Sequence, residues 1–422
     1  MNQRPVDLLI RGASELATPL GSTARVGREL GALSLLARGA VAVDAGRIVA
    51  IGREDELARD YAPRATLDAE GGTLVPGFVD AHTHPIFATT REDEFELRTR
   101  GATYAEIAAA GGGILSTTRG VRAASREELE GRLVRHLDRF LELGTTTVEA
   151  KTGYGLSLEA ELKCLEALAF VRARHAVDLV PTFLGAHDFP EEYRSDKQAY
   201  VDLLVREMLP RVAREGLAEY CDVFTEGIAF SLEQSRRILG TARDLGLGLR
   251  LHVDQLTPLG GAELAAELGA ASADHLEHVS ERGIEALAAR GVIAVLCPVV
   301  PLFLRQEREA PGRRMVDAGV PIAISTDFNP GSCYLQSMSE VISWAALRYR
   351  LSAAECLTAA TLNAACSLGR GAQTGSLEPG KRADILVLDV PNHRHLAYEL
   401  GRNPVRHVVR GGRVAFSRTV VR

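Results

Sequence analysis

The stretch VPGFVDAHTHP, Val75–Pro85, carries a short apolar run into two histidines separated by one residue. Side chains on a strand alternate between faces, so His82 and His84 share one face and Thr83 takes the other. Two imidazoles presented together at a strand end can each give a ring nitrogen to one metal ion. A bare H-x-H also arises by chance in polar loops, so its meaning depends on what the rest of the chain brings to the same place.

From this point onward, apolar runs of strand length alternate with amphipathic helical runs, the pattern of parallel strands joined by crossover helices. Eight such runs begin at Phe78, Thr145, Asp178, Tyr220, Leu247, Ser272, Val292 and Pro321. Eight is the number that closes a TIM-like (β/α)8 barrel. The helical reading between them rests on spacing: Ser125 to Glu128 has the form of a capping box, and Leu129, Leu133, Leu137 and Leu141 recur every four residues. Further helices are expected at Leu158–Arg174, Leu232–Leu245, Ile284–Arg290 and Met338–Tyr349, the last placing Trp344 in packing. Gly111, Gly112 and Gly113 interrupt the first crossover, either as a loop over the barrel mouth or as a plain turn.

Both ends of the chain read differently. Short strands with hairpin signals at Asp44-Ala45-Gly46 and Gly411-Gly412 imply one small β-sandwich domain formed from both termini. The expected division is 1–75 plus 375–422 for the sandwich and 76–374 for the barrel.

In a parallel barrel the strand ends converge on one rim, where the catalytic groups of this fold are found. Here those ends carry His84, Lys151, His187, His252, His275 and Asp327. His82, His84, His252 and Asp327 together make a three-nitrogen, one-oxygen ligand set with room for water, a catalytic rather than a closed pattern. Ligand types fit zinc, and leave iron or manganese open. Such an ion suits hydrolysis. Lys151 either contacts substrate or pairs with a neighbouring acid. His136, His175, His393, His395 and His407 read as surface or structural, and His278 is ambiguous.

A formal charge of −6 over 422 residues, without a basic stripe, argues against nucleic acid. Six cysteines without a C-x-x-C pair fit reduced thiols in a cytoplasmic protein. No signal-peptide core and no membrane-length apolar run are present.

VPGFVDAHTHP, LHVDQ, ADHLEH and STDFNPG resemble, in this order, the strand-one, strand-five, strand-six and strand-eight signatures of the amidohydrolase superfamily. More narrowly, FATTRE, EAKTGYGL, TFLGAHDFP, HVDQL and STDFNPGS are similar to the imidazolonepropionase family, enzymes that open a five-membered imidazolone ring. The resemblance implies hydrolysis of 4-imidazolone-5-propanoate to N-formimino-L-glutamate in histidine degradation, with one zinc or iron ion per subunit. It makes His82, His84, His252 and Asp327 the metal ligands. It assigns substrate contacts to Arg91, Tyr104, Tyr154, His187, Gln255, Asn329, Gly331 and Ser332. Asp327 would move the proton and His275 would hydrogen-bond the carbonyl oxygen.

A guanidinium such as Arg91 suits a propionate arm, which it can grip with two parallel hydrogen bonds. Some members of the family carry glutamate where this chain has Gln255, and an amide cannot shuttle a proton, so Gln255 is assigned to binding. A carboxylated lysine on strand four, the mark of two-metal relatives, has no counterpart in YCDVFTEG, which favours one ion. The alternative is an aminohydrolase of a cytosine- or guanine-like ring on the same barrel. A homodimer follows from fold analogy alone.

Overall fold

The structure, a computed structural model, describes residues 3–102, 106–107 and 111–418. Eight strands follow one another around a barrel: β1 (Phe78–Asp80), β2 (Thr145–Lys151), β3 (Asp178–Ala186), β4 (Tyr220–Thr225), β5 (Gly248–Val253), β6 (Ser272–His275), β7 (Ile293–Leu296) and β8 (Ile322–Ile324). Each pairs in parallel with the next. All eight expected segments therefore contain their strand.

The seam between β8 and β1 closes beyond the strands themselves. Thr83 bridges Phe328, the His84 amide donates to the Phe328 carbonyl at 2.8 Å, and the Asp327 amide donates to the His82 carbonyl at 3.1 Å. This seam holds His82, His84 and Asp327 together. The sequence pattern places the two histidines at a strand end; in the structure the ladder stops at Asp80 and both sit in the irregular segment that follows, on either side of the Thr83 bridge.

The crossover helix Arg126–Glu142 starts at the expected capping box, with the Ser125 hydroxyl accepting from the Glu128 amide at 3.1 Å. Leu129, Leu133, Leu137 and Leu141 are buried in the main core cluster beside Phe140. Each such side chain contributes roughly 1.5–3 kcal/mol on burial, far more than helix propensity does. Gly144, at φ +91, turns the chain into β2. Trp344 is half-buried, packed against Cys297, Val299, Val300 and Cys333.

The termini build two sheets. One has four strands in the order Arg47–Arg53, Gly39–Asp44, Arg4–Arg11 and Tyr61–Asp68. The other has six and draws on both ends of the chain: Arg413–Ser417, Val405–Arg410, Ile385–Leu388, Thr73–Pro76, Glu15–Thr18 and Ser34–Ala37. Leu8, Ile10, Val41 and Val43 of the first pack with Leu16, Leu74, Ile385 and Val387 of the second in one core, which makes a sandwich. Its strand Thr73–Pro76 leads directly into β1. Both expected hairpins are present, with Ala45, Gly46, Gly411 and Gly412 at positive φ. The six cysteines are free thiols, and among the described residues no helix is long and apolar enough to cross a membrane.

Candidate metal centre and pocket

His82, His84, His252 and Asp327 meet at the rim, each no more than 3% exposed. Nε2 of His252 lies 3.3 Å from Nε2 of His84. Asp327 Oδ1 stands 3.4 Å from His84 Nε2 and 3.5 Å from His82 Nε2. His82 Nε2 and Asp327 Oδ1 are buried without a hydrogen-bond partner among the described residues. Two nitrogens bound to one tetrahedral ion at roughly 2.0–2.1 Å would stand about 3.3–3.4 Å apart. The donor set therefore fits an ion of that kind. His275 belongs to the same cluster, its ligand atom lying within 4.8 Å of those of His82 and Asp327.

The shifts of His82, His84 and Asp327 agree with that fit, since a ligating imidazole must be neutral. Burial lowers His84 to about 4, against the pull of Asp327. Burial, reinforced by the Lys151 charge, holds His82 well below its ordinary value. Asp327 is raised by burial and lowered more strongly by His84 and His275, so it stays a carboxylate. His275 goes the other way: burial lowers it, but Glu277, Asp327 and Asp274 together outweigh burial and raise it above its ordinary value. His275 and Asp327 have φ of 79° and 51°, a backbone region that costs of order 1–3 kcal/mol for such residues and is concentrated at functional sites.

A cavity of about 120 Å³ opens beside this cluster, lined by His84, Arg91, Tyr154, His187, His252, Gln255, His275, Asp327, Asn329 and Ser332, with Ile114, Phe224, Leu256, Leu304 and Gln306. Nε and Nη1 of Arg91 are buried without a hydrogen-bond partner among the described residues, and Glu94 Oε2 is 3.8 Å from Nη1. Gly331 does not line the cavity; a Cβ there would sit 1.3 Å from Arg91 Nη2. Its missing side chain is the space that the guanidinium fills. Asn329 is engaged within its own loop, its Oδ1 accepting from the amides of Gly331 and Ser332 at 2.8 and 2.7 Å and its Nδ2 donating to the Asp327 carbonyl at 2.7 Å. His187 stacks on His84 at 5.2 Å and hydrogen-bonds the Gly153 carbonyl through Nδ1 at 3.0 Å, leaving Nε2 as an acceptor. Tyr104 lies outside the described residues.

Beneath the histidines lies a layer of carboxylates that the sequence reading passed over. His82 Nδ1 hydrogen-bonds Asp274 Oδ2 at 2.6 Å, and His252 Nδ1 is 3.0 Å from Asp222 Oδ2. The signal that finds them is general: a ligating histidine turns its second nitrogen to a carboxylate or carbonyl. Lys151 is fully buried and does not line the cavity; its Nζ contacts Glu149 Oε1 at 2.8 Å and Asp222 Oδ2 at 2.6 Å. Of its two readings, the acid pair is the one realised. Asp80, which accepts from Ser325 and Thr326, is pushed up by burial to about 6. Glu226 gathers the amides of Gln255, Leu256 and Thr257 on Oε1 and so sets the loop that carries Gln255.

The sequence profile described as "Amidohydrolase family" matches residues 73–415. The chain is 49% identical to an imidazolonepropionase of Symbiobacterium thermophilum, over 99% of each chain. It is 47% identical to an imidazolonepropionase of Geobacillus kaustophilus, over 96% of this chain and 97% of the other. Among solved structures, an adenosine deaminase from Xanthomonas campestris with bound zinc superposes with a TM-score of 0.74 at 24% identity, covering 99% of this chain and 94% of that one. The guanine deaminase of E. coli does so with a TM-score of 0.74 at 17% identity, covering 97% and 100%. These two likenesses show the shared fold.

Proposed function

The chain belongs to the amidohydrolase family, in its imidazolonepropionase branch, and on that premise we propose that it hydrolyses the cyclic amide bond of 4-imidazolone-5-propanoate to N-formimino-L-glutamate. His82, His84, His252 and Asp327 hold a single zinc or iron ion. Such an ion, when bound, polarises a carbonyl oxygen and lowers the pKa of water towards about 7. Asp327, a carboxylate at the cavity wall, takes the proton of the attacking water and returns it to the leaving ring nitrogen. His275 donates to the carbonyl oxygen as charge develops there. Tyr154 and His187 orient the ring, and Gln255 and Ser332 hydrogen-bond it.

The observation that carries the reading is Arg91, a buried guanidinium with open donors in the same cavity as the metal-facing histidines. It supplies what a propionate arm requires and gives a neutral base nothing to pair with, which weighs against the aminohydrolase alternative. Asn329 and Gly331 serve binding at one remove, by shaping the loop and the space around Arg91.

The test is Arg91→Met assayed on imidazolone propionate. A charge-assisted pair contributes about 1.5–3 kcal/mol, so KM should rise about 10- to 150-fold with kcat little changed. An unaltered KM would separate Arg91 from the propionate.

A further inference from the structure

Lys151 stands where two separate strands must agree. Asp222 on β4 faces His252 at 3.0 Å, and Asp274 on β6 faces His82 at 2.6 Å. Lys151 Nζ is 2.6 Å from Asp222 Oδ2 and 3.6 Å from Asp274 Oδ2, the same two oxygens that meet the imidazoles. Glu149 holds the ammonium from below at 2.8 Å and is itself held by Arg250 Nε at 2.9 Å and by the Thr182 hydroxyl at 2.6 Å. Arg250 also reaches Asp274 Oδ2 at 3.5 Å and is anchored on the carbonyls of Ala81 and Ser367. All five charged side chains have no exposed surface.

We infer that Lys151 is a positioning residue for the metal centre: it ties Asp222 to Asp274, so that His252 and His82, borne on different segments, are held as one rigid ligand pair. The inference rests on the metal-centre reading above. Two features support it beyond distance. A lysine that served only to neutralise buried acids could pair with any oxygen, whereas this one meets the oxygens already engaged by the imidazoles. In formal charge, the three carboxylates exceed Lys151 and Arg250 by one negative charge. Without Lys151 only Arg250 would remain beside Asp274, at 3.5 Å, Asp222 would lose its ammonium, and repulsion would turn the two aspartates away from the rings they orient.

Removing a buried cation strands its partners and can prevent folding, so the test pairs Lys151→Met with the charge-matched double variant Lys151→Met/Glu149→Gln, which preserves the excess charge but breaks the tie. Metal-free protein is titrated with zinc(II) against a chromophoric chelator and with cobalt(II) alone, reading the visible spectrum. Loss of a partner that orients a metal ligand typically costs about 10- to 100-fold in affinity. The folded variant should show that loss, together with an altered cobalt spectrum. Wild-type affinity and an unchanged spectrum in a folded variant would reduce Lys151 to a stabilising charge. A second measurement needs no variant: nitrogen-15 spectra of the metal-free wild type should show both His82 and His252 with the proton on Nδ1. Either ring protonated on Nε2 instead would overturn the inference. Wild-type protein that takes up no zinc or cobalt would fail the metal reading itself, a result distinct from equal affinities.

Discussion

At the scale of single residues, burial sets the chemistry of the groups around the cavity. Asp327→Asn, compared with wild type at matched metal content, should lower kcat by about 10²–10⁴, the usual contribution of a positioned proton carrier; near-normal kcat would remove Asp327 from proton transfer. Gly331→Ala should raise KM as Arg91→Met does, because the added methyl collides with the guanidinium. An unchanged KM would place the substrate carboxylate elsewhere. His84 carries the pH prediction. The unfolded chain protonates it below the ordinary 6.5 and the folded metal-free chain only near 4, so between those values the unfolded state holds the extra proton. This group's contribution to stability is therefore lost as pH falls through that window. Proton NMR of the metal-free protein should find the His84 ring neutral at pH 6, and a titration midpoint near 6.5 would contradict it. The cluster of His82, His84, His252 and Asp327 was legible because histidines and an aspartate at the ends of β1, β5 and β8 form an unusual pattern. Asp222, Asp274 and Glu149 were not, because one carboxylate on an inward strand face has no distinctive spacing and acquires meaning only when β2 to β6 stand side by side. Asn329 and Gly331 were legible as members of a motif, while their work, bracing a loop and leaving room, is a matter of geometry.

At the scale of elements, periodicity carried most of the information. The helix Arg126–Glu142 begins at its capping box and buries its leucine stripe, so Leu137→Ala should cost about 2–5 kcal/mol in urea unfolding while leaving KM unchanged, since Leu137 does not line the cavity. A cost below about 1 kcal/mol, the level of a minor core change, would mean that the stripe is not tightly packed. Periodicity failed where backbone leaves regular geometry. β1 and β8 are three residues each, and His82, His84 and Asp327 follow them in irregular chain that is paired across the seam. Alternation predicts which face a residue takes on a strand; it does not show where hydrogen bonding to the neighbour stops.

At the scale of the whole molecule, the order of β and α segments was enough to identify the barrel, and the β-rich ends were enough to suggest a joint sandwich. The division of that sandwich into a four-stranded and a six-stranded sheet was not legible, because pairing between Thr73–Pro76 and Ile385–Leu388 spans over 300 residues and no local signal specifies so distant a partner. This pairing ties the C-terminal strands to the segment that enters β1. A chain truncated before Ile385 should therefore lose zinc binding as well as stability, and a truncated protein that is soluble and binds zinc like the full chain would show the barrel to be independent. The most direct test of the whole account is to incubate metal-quantified protein with freshly prepared imidazolone propionate, following the ring absorbance, the mass of the product and free ammonia. The account predicts formiminoglutamate, heavier than the substrate by one water, with no ammonia and with one metal ion per chain. Ammonia release with the ring intact, or no turnover at full metal occupancy, would contradict it.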